Sequence, residues 1–502
     1  MIPIVIAVAA AIGFLSGSAV WLLIRASKFA TQPHDFWTSL RQFWIVAHDP
    51  HVFIWAVIPM MIGFTLFMVV AVNGFDLIEG SKRKERGARL VPMRVLQKLT
   101  KSRKRSVHQV TVGTIPIPIG TETSHCLFVG STGTGKSNAQ CEILQGAIKR
   151  SDRIIIVDPD GQSLARFWKP GDHILNPFDA RAEKWSAFGE IQRASDFDRV
   201  ASAMIPGSSG DDEIWRARAR TMLSEIMQAM AESGEEVTPP KLLWYVSAAS
   251  REELAPMLSG RSSAALLQPD AGKFLDSVRG VLAEYVRPHA MHPNGDFTLH
   301  HWIKGGTGNL FLTWRDDQLR TLRPLITCWL DLLVSSMLSG HASDRPTWLF
   351  IDELGSLEQM SGLEAALTKG RKHGLRVVAC LQSTSQLTDI YGKSKSETLR
   401  SCFRSLLALG GSATDPDTAE ALSIGLGEKE VEDLEISVSR DGQRRSTSES
   451  THVHKRRLVL PSEIQNLAAN TGFLKLAGDF PVAQIKVKPP ELANINPAFE
   501  EK

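Results

Sequence analysis

Hydrophobic residues form two kinds of run along the chain, and each kind predicts a different structure. Two long runs near the N-terminus, residues 2–24 and 52–75, contain no charged residue. Each exceeds the roughly 18 apolar residues that indicate a transmembrane helix. The first run lacks the basic start of a signal peptide and is long for its apolar part, so we interpret both runs as membrane anchors. Beyond residue 105 the apolar runs are shorter and alternate with helical patterns.

Basic residues predict the orientation of the two membrane helices. The segment between them carries three Lys or Arg, whereas residues 82–105 carry eleven. Because basic flanks remain on the cytoplasmic side, everything beyond residue 75 is expected in the cytoplasm. We therefore predict a transmembrane domain at residues 1–75, with an external loop at about 26–50, and a basic juxtamembrane linker at 76–105.

The short apolar runs predict β-strands that are buried on both faces. They alternate with helical stretches, as in a doubly wound α/β fold. Between residues 193 and 295 the strand pattern stops and apolar residues recur at helical spacing, which predicts an all-α insertion; a stabilising lid and a partner-selecting domain fit it equally well. We thus expect an α/β nucleotide-binding domain at residues 106–192 plus 296–502. The predicted strands are residues 111–119, 126–129, 153–157, 309–314, 348–351, 375–380, 406–409 and 473–476.

Charge is unevenly distributed along the chain. Of the 57 Lys and Arg, 14 lie in residues 1–105, together with 5 of the 54 Asp and Glu. The remainder carries a net charge of −6, so any contact with nucleic acid requires a local basic stripe or pore lining. Residues 437–457 are rich in serine and charge and predict a solvated flexible loop, with a basic channel lining as the alternative. The five cysteines are scattered and indicate neither disulfides nor a zinc site.

A phosphate-binding motif follows the predicted strand at residues 126–129. Its sequence, GSTGTGKS, matches the P-loop pattern GxxxxGK[ST], and a helical pattern comes directly after it. Glycines let backbone N–H groups surround the phosphates, and the helix N-terminus favours the same anion. Lys136 is expected to contact the β and γ phosphates, and Ser137 to ligate Mg²⁺. The predicted nucleotide-binding residues are Gly130, Ser131, Thr132, Gly133, Thr134, Gly135, Lys136 and Ser137.

A second apolar strand ends in two carboxylates, in the sequence TWLFIDE at residues 347–353. This is the pattern of a Walker B strand. Asp352 is expected to hold Mg²⁺, and Glu353 to act as the general base on the attacking water. The alternative is that both acids cap the helix that follows them.

Three further positions are candidates for the same site. Gln382 ends the predicted strand at 375–380, at the edge where parallel sheets bind ligands, and could orient water or contact the γ phosphate. Arg371 precedes that strand and could act on the nucleotide of a neighbouring subunit. The segment Asp158-Pro159-Asp160-Gly161 also ends a strand on this edge. Each position has a plainer alternative. Gln382 could cap a loop, Arg371 could be a solvated cation at a helix end, and residues 158–161 could form an ordinary turn.

The chain as a whole resembles the type IV coupling proteins, the RecA-like ATPases of bacterial conjugation. The resemblance covers nearly the whole chain and rests on several motifs together. They are the two N-terminal membrane helices, GSTGTGKS, VDPDG, the helical insertion, WLFIDELGSL, TKGRKHGLRVVACLQS and TGFLKLAG. The long acidic tail of some relatives is missing from the sequence, which puts docking through such a tail in doubt.

The resemblance implies a fold, a function and partners. It implies a RecA-like P-loop ATPase domain with an inserted all-α domain, in a homo-hexamer at the bacterial inner membrane. Such a protein binds ATP and Mg²⁺, binds DNA largely independently of sequence, and couples a relaxase or relaxosome to a type IV secretion channel. It assigns Lys136, Ser137, Asp352 and Glu353 the roles given above, and matches Gln382 to the third motif and Arg371 to an arginine finger.

Other classes of protein fit the sequence less well. An ABC-type transporter subunit is disfavoured because residues 338–340, LSG, continue without the rest of the LSGGQ signature. A GTPase is disfavoured because no NKxD motif is present. A chromosome-partitioning translocase is a nearer rival, although no C-terminal DNA-reading domain is recognisable. The remaining alternative is a membrane receptor that selects secretion substrates, with nucleotide acting only as a conformational switch.

Overall fold

The computed structural model describes residues 86–103, 108–208, 210–234, 236–340, 345–441 and 444–502. The two predicted membrane helices, residues 2–24 and 52–75, lie outside these ranges. Within them, one helix, Asp316–Ser339, is long and apolar enough to cross a membrane. Most of that helix is buried inside the protein, as is typical of the core helix of a globular domain.

The described residues form short strands and longer helices in alternation. The strands are β1 (Arg86–Gly87), β2 (Leu90–Val91), β3 (Thr111–Val112), β4 (Ile115–Pro116), β5 (Cys126–Val129), β6 (Arg153–Pro159), β7 (His173–Leu175), β8 (Leu310–Trp314), β9 (Thr347–Ile351), β10 (Leu375–Leu381), β11 (Ser405–Leu409), β12 (Glu428–Asp441), β13 (Arg444–Arg457), β14 (Thr471–Lys475) and β15 (Val482–Lys486). The α-helices are α1 (Met93–Thr100), α2 (Ile119–Glu122), α3 (Lys136–Lys149), α4 (Gln162–Phe167), α5 (Ser195–Met204), α6 (Asp212–Glu232), α7 (Pro239–Ser247), α8 (Arg251–Leu258), α9 (Gly272–Met291), α10 (Leu299–Gly305), α11 (Asp316–Ser339), α12 (Leu363–Lys369), α13 (Ser385–Cys402), α14 (Pro416–Leu426) and α15 (Pro461–Gln465).

A ten-stranded sheet organises the fold, in the order β2-β15-β14-β11-β5-β10-β9-β6-β8-β7. The run from β11 to β7 is parallel throughout, whereas β14 pairs antiparallel with both of its neighbours. The carboxyl ends of β5, β6, β8, β9 and β10 therefore meet at one edge. This arrangement confirms the expected RecA-like α/β architecture, and it brings the predicted site residues together, with the exception of Arg371.

The sheet is buried on both faces because its central strands β5, β9 and β10 are apolar except at Thr347 and Arg376, which are buried with them. In β10, Val377 and Ala379 join the core on one face, while Val378 and Cys380 join the core on the other. Such strands read as continuous apolar runs, because helices cover both faces of a parallel sheet. Five of the predicted strands, at 126–129, 309–314, 348–351, 375–380 and 406–409, match observed ones to within a residue at each end.

Between β7 and β8 the described residues form helices and short 3-10 turns, without a strand of the sheet. The longest helices are α6 and α9, whose apolar side chains Met222, Ile226, Val278 and Leu282 are buried. They belong to the same hydrophobic core as one face of the sheet. The predicted domain limits, at residues 193 and 295, stay a prediction.

The strand predicted at residues 111–119 is wrong. The structure has instead a small antiparallel hairpin of β3 and β4, separate from the large sheet. Gly113 and Thr114 take left-handed backbone angles, with φ of 54° and 66°, and form the turn. Pro116 and Pro118 then limit further pairing, because proline cannot donate to a strand ladder.

The flexible loop predicted at residues 437–457 is also wrong. Strands β12 and β13 cover most of this segment and form a sheet with β1. Strand pairing uses backbone groups and tolerates polar side chains on both faces. Thr and Val within this segment favour the extended conformation, and the charged residues around them obscured that signal.

Two histidines are buried among tryptophans at the end of α9. The imidazole of His289 lies 5.8 Å from the ring of Trp185, and that of His292 lies 5.5 Å from the ring of Trp329. Both ring nitrogens of His289 are buried without a hydrogen-bond partner among the described residues. Burial lowers the pKa of His289 from 6.5 to about 3 and that of His292 to about 4. Both side chains therefore remain neutral at physiological pH.

We expect His289→Leu to stabilise the protein more strongly at pH 5 than at pH 7.5. Below pH 6.5 the unfolded chain binds a proton on His289 that the folded chain excludes until about pH 3, so the free energy of unfolding decreases as the pH falls. Removing the imidazole removes this loss of stability. Relative to pH 7.5, the substitution should therefore raise the free energy of unfolding at pH 5 by about 2 kcal/mol. Denaturant unfolding of both chains at the two pH values measures the difference. An equal effect at both would contradict the neutral buried state.

Candidate nucleotide-binding site

The P-loop joins the end of β5 to the start of α3. Gly133 and Gly135 have φ of 78° and 107°, a region that favours glycine. A Cβ on Gly135 would lie 2.6 Å from Oδ1 of Asn470, so this position is also limited by space. Asn470 donates its backbone N–H to the carbonyl of Thr134 at 2.9 Å, and its side chain accepts from Asn138. The residue before β14 thus supports the phosphate loop, which the sequence analysis missed.

Lys136 is buried at the first turn of α3, with 8% of its surface exposed. Its Nζ donates to the carbonyl oxygens of Gly130 and Ser131, at 2.7 and 3.0 Å. The loop therefore curls around the ammonium group. A phosphate in the same loop would meet this charge together with the N-terminal dipole of α3.

Ser137 and Asp352 meet across the cleft between α3 and β9. The Ser137 hydroxyl donates to both carboxylate oxygens of Asp352, at 3.0 and 3.1 Å. Burial raises the pKa of Asp352, and the hydrogen bond from Ser137 opposes that rise. A hydroxyl and a desolvated carboxylate are oxygen ligands of the kind that Mg²⁺ prefers, the remaining ligands being water and phosphate oxygens. The pair fits a magnesium ion.

Glu353 and Gln382 are also brought together, from the ends of β9 and β10. Oε2 of Glu353 accepts from Nε2 of Gln382 at 2.9 Å, and Oε1 accepts from Nε2 of Gln386 at 3.2 Å. Two amides thus hold one carboxylate beside the phosphate loop. Gln386 lies in the first turn of α13, where no sequence motif indicated it.

These residues line one cavity of about 650 Å³. Its phosphate end contains Lys136, Ser137, Asp352, Glu353 and Gln382. Further lining comes from residues at or just after the ends of β6 and β8: Pro159, Asp160, Gln162, Trp314, Asp316 and Leu319. Because ligands bind at the carboxyl ends of parallel strands, Trp314 and Asp316 were open to prediction from the strand at 309–314.

Asp158 has a structural role in this wall. Its carboxylate accepts from the backbone N–H groups of Ser163 and Leu164, at 3.0 and 2.7 Å, and so caps α4. Burial raises the pKa of Asp158 to about 7. The neighbouring Asp160, which has a left-handed φ of 60°, lines the cavity instead.

Arg371 is not part of this cavity. It is exposed within a 3-10 turn, Gly370–His373, that precedes β10. Gln382 follows the opposite end of the same seven-residue strand, which spans about 20 Å. Arg371 therefore lies at the other edge of the sheet from the phosphate loop of its own chain. Its role as a finger stays a prediction.

Comparison with known proteins reveals matches over most of the chain. Residues 109–488 match the family model described as the type IV secretion-system coupling protein DNA-binding domain. The coupling protein TraD of Escherichia coli K12 is 29% identical over 468 residues, which is 88% of this chain and 64% of TraD. The conjugal transfer protein TraG of Agrobacterium fabrum is 25% identical over 55% of this chain and 44% of TraG. The chain thus spans less than two thirds of these relatives.

Solved structures of one coupling protein are similar to most of this chain. TrwBdeltaN70, in its unbound monoclinic form, is 40% identical and covers 83% of this chain and 96% of its own, with a TM-score of 0.76. TrwB in complex with ADP and Mg²⁺ is 40% identical over 84% of this chain and 99% of its own, also with a TM-score of 0.76. The family model matches residues 109–488, which include the phosphate loop and the strand β9 with the two acids after it. The chain therefore belongs to the type IV secretion-system coupling proteins.

Proposed function

We propose that this chain is a hexameric ATPase of the bacterial inner membrane that couples a relaxase–DNA complex to a type IV secretion channel and drives DNA through it. The observation that carries the proposal is the convergence of Lys136, Ser137, Asp352, Glu353 and Gln382 on one cavity. A motor that is fixed to the membrane moves the DNA instead of moving along it. The two predicted membrane helices at residues 2–24 and 52–75 would provide that anchor.

ATP and Mg²⁺ are the proposed ligands of the cavity. The similar TrwB binds ADP with Mg²⁺, and the hydroxyl–carboxylate pair of Ser137 and Asp352 is suited to the same ion. Lys136 would bind the β and γ phosphates from the centre of the loop. When bound, Mg²⁺ would neutralise charge on the phosphate oxygens.

Glu353 and Gln382 would act on the attacking water. A carboxylate oxygen of Glu353 would accept the water's proton, which is general-base catalysis. The Gln382 amide fixes Glu353 through one hydrogen bond, and the carbonyl oxygen of this exposed side chain would orient the same water. This pairing of base and amide assigns each residue a role that does not need a second subunit.

A ring of six subunits explains the position of Arg371. The guanidinium cannot reach the nucleotide of its own chain, because β10 separates the two. In a closed ring each subunit presents one edge to its neighbour's cavity, so an arginine on the far edge can complete that cavity. The predicted all-α insertion at 193–295 would then select relaxase or relaxosome partners, and DNA would contact a local basic lining.

The experiment that tests the proposed function is Lys136→Ala in the full chain. We expect DNA-stimulated ATP turnover and conjugative transfer to fall by about 10²-fold or more, because charge stabilisation at the transferred phosphate is lost. Binding of the relaxase is expected to persist, since Lys136 is buried within the loop. Transfer that continues at the parent rate would contradict a motor and support the receptor, in which nucleotide only switches conformation.

A further inference from the structure

His125 holds both ends of the segment that carries Arg371. Its Nδ1 accepts the backbone N–H of Val377 at 3.1 Å, and its Nε2 lies 3.0 Å from the carbonyl oxygen of Leu367. Because Nδ1 accepts, the proton resides on Nε2, which donates to Leu367. One imidazole therefore binds the backbone before and after residues 368–376.

The surroundings of His125 favour this arrangement. The residue is 1% exposed, and its backbone is left-handed, with φ of 57°. Burial lowers the pKa of His125 to about 4. The positive charge of Arg371 acts in the same direction, and the hydrogen bond to Leu367 opposes both. The ring is thus neutral and provides one donor and one acceptor. A residue that only filled space in the core would need neither the donor nor the acceptor.

The segment between the two contacts is short and tightly folded. It forms the 3-10 turn Gly370–His373 and then reverses at Gly374, which has φ of 75°. The N–H of Gly374 donates to the carbonyl of Arg371 at 3.2 Å. With both ends fixed by one rigid ring, the backbone of Arg371 has little freedom to shift.

The same residue is joined to the phosphate loop. His125 immediately precedes β5, which is four residues long and leads directly into Gly130. β5 pairs with β10 in parallel, with Cys126 opposite Val378. The buried strand β5 therefore connects the phosphate loop with His125. His125 in turn holds the segment that carries Arg371, the residue that the chain would present to its neighbour.

We infer that His125 is a positioning residue that fixes Arg371 for reaction at the nucleotide of the neighbouring subunit. The inference rests on the proposed function, in which Arg371 acts in trans. Its physical basis is the sensitivity of catalysis to placement, since a displacement of about 1 Å can reduce a rate about 10²-fold. A purely structural histidine would stabilise the chain that contains it and have no preferred effect on its neighbour.

The test mixes two inactive full-length chains. Arg371→Ala has a complete cavity without a finger, and Lys136→Ala has a finger with a disabled cavity. In rings assembled from equal amounts of both chains, half of the subunits have a working cavity, and half of these have a neighbour that carries Arg371. We therefore expect DNA-stimulated ATP turnover of about a quarter of the parent rate. If mixing restores no turnover, the action of Arg371 in trans is wrong, and the inference fails with it.

His125→Asn is then added to one chain at a time. Asparagine tolerates the left-handed backbone but is too short to reach both partners. In the chain that donates the finger, we expect the restored turnover to fall about tenfold or more. In the chain that provides the cavity, we expect the restored turnover to be retained. Equal losses in both chains, or a loss only in the cavity chain, would overturn the role of His125 while leaving the trans arginine intact.

Two measurements separate positioning from misfolding. The chain with His125→Asn and Arg371→Ala, whose phosphate loop is intact, should bind a fluorescent non-hydrolysable ATP analogue as the Arg371→Ala chain does, and each His125→Asn chain should enter the mixed rings in equal proportion. His125→Phe, which loses both hydrogen bonds and retains a ring, is the second variant and should cause the larger loss in the finger chain. Full restored turnover with both variants in the finger chain would overturn the inference.

Discussion

Glu353→Gln should bind ATP like the parent chain and hydrolyse it about 10²- to 10⁴-fold more slowly. The amide has the shape of the carboxylate and can still accept a hydrogen bond from Gln382 through its carbonyl oxygen. It cannot accept a proton from water at neutral pH. Steady-state turnover with saturating DNA gives kcat, and equilibrium titration with a non-hydrolysable ATP analogue gives the affinity.

Asp389→Asn is the matched control for this variant. It makes the same change from carboxylate to amide on α13, one turn beyond Gln386, at an exposed position outside the cavity. We expect its kcat to remain within about twofold of the parent value, as is typical of surface substitutions. If Glu353→Gln retained a kcat this close to the parent value, Glu353 would not be the general base, and the amides of Gln382 and Gln386 would merely hold a structural acid.

The phosphate end of the site was predictable because its residues follow strands that the sequence reveals clearly. β5, β9 and β10 are apolar except at Thr347 and Arg376, so their ends, and the Lys136 and Asp352 motifs beside them, could be placed before the structure was known. Parallel pairing then determines that these ends share one edge. The apolar strands are recognisable because both faces of the sheet are buried, and the Lys136 and Asp352 motifs are recognisable because they follow such strands.

The supporting residues could not be predicted in the same way. Asn470 contacts the phosphate loop from a position more than 300 residues away in the chain, and Gln386 contacts Glu353 from the next helix. Neither contact has a local pattern, because each depends on which strands become neighbours. The clamp by His125 is similar, since both of its partners are backbone groups, which any residue would provide.

The strand errors have a different origin. Residues 437–457, within β12 and β13, are rich in serine and charge, so this stretch of sequence shows little of the alternation that marks a half-buried strand. β15, at residues 482–486, was missed because it is short and includes the exposed Gln484 and Lys486. In both cases backbone pairing determines the structure, and composition provides little indication of it.

Arg371→Ala should reduce DNA-stimulated ATP turnover by about 10³-fold or more, as expected for loss of an arginine that stabilises charge on the transferred phosphate. Nucleotide affinity should be unchanged, because Arg371 and the chain's own phosphate loop lie at opposite edges of the sheet. Arg371→Lys should recover little, since an ammonium group lacks the planar set of donors that a guanidinium offers to phosphate oxygens.

Lys372→Ala distinguishes a specific arginine from a general need for positive charge. Lys372 is the next residue, is also exposed and belongs to the same 3-10 turn. We expect turnover to change by about twofold or less, because an exposed cation contributes little. Equal losses in Arg371→Ala and Lys372→Ala would indicate that the turn only attracts DNA or a neighbouring acidic surface. A loss confined to Arg371, with nucleotide affinity intact, would mean that each cavity is completed by a residue of another subunit, and the ring would then be required for hydrolysis itself.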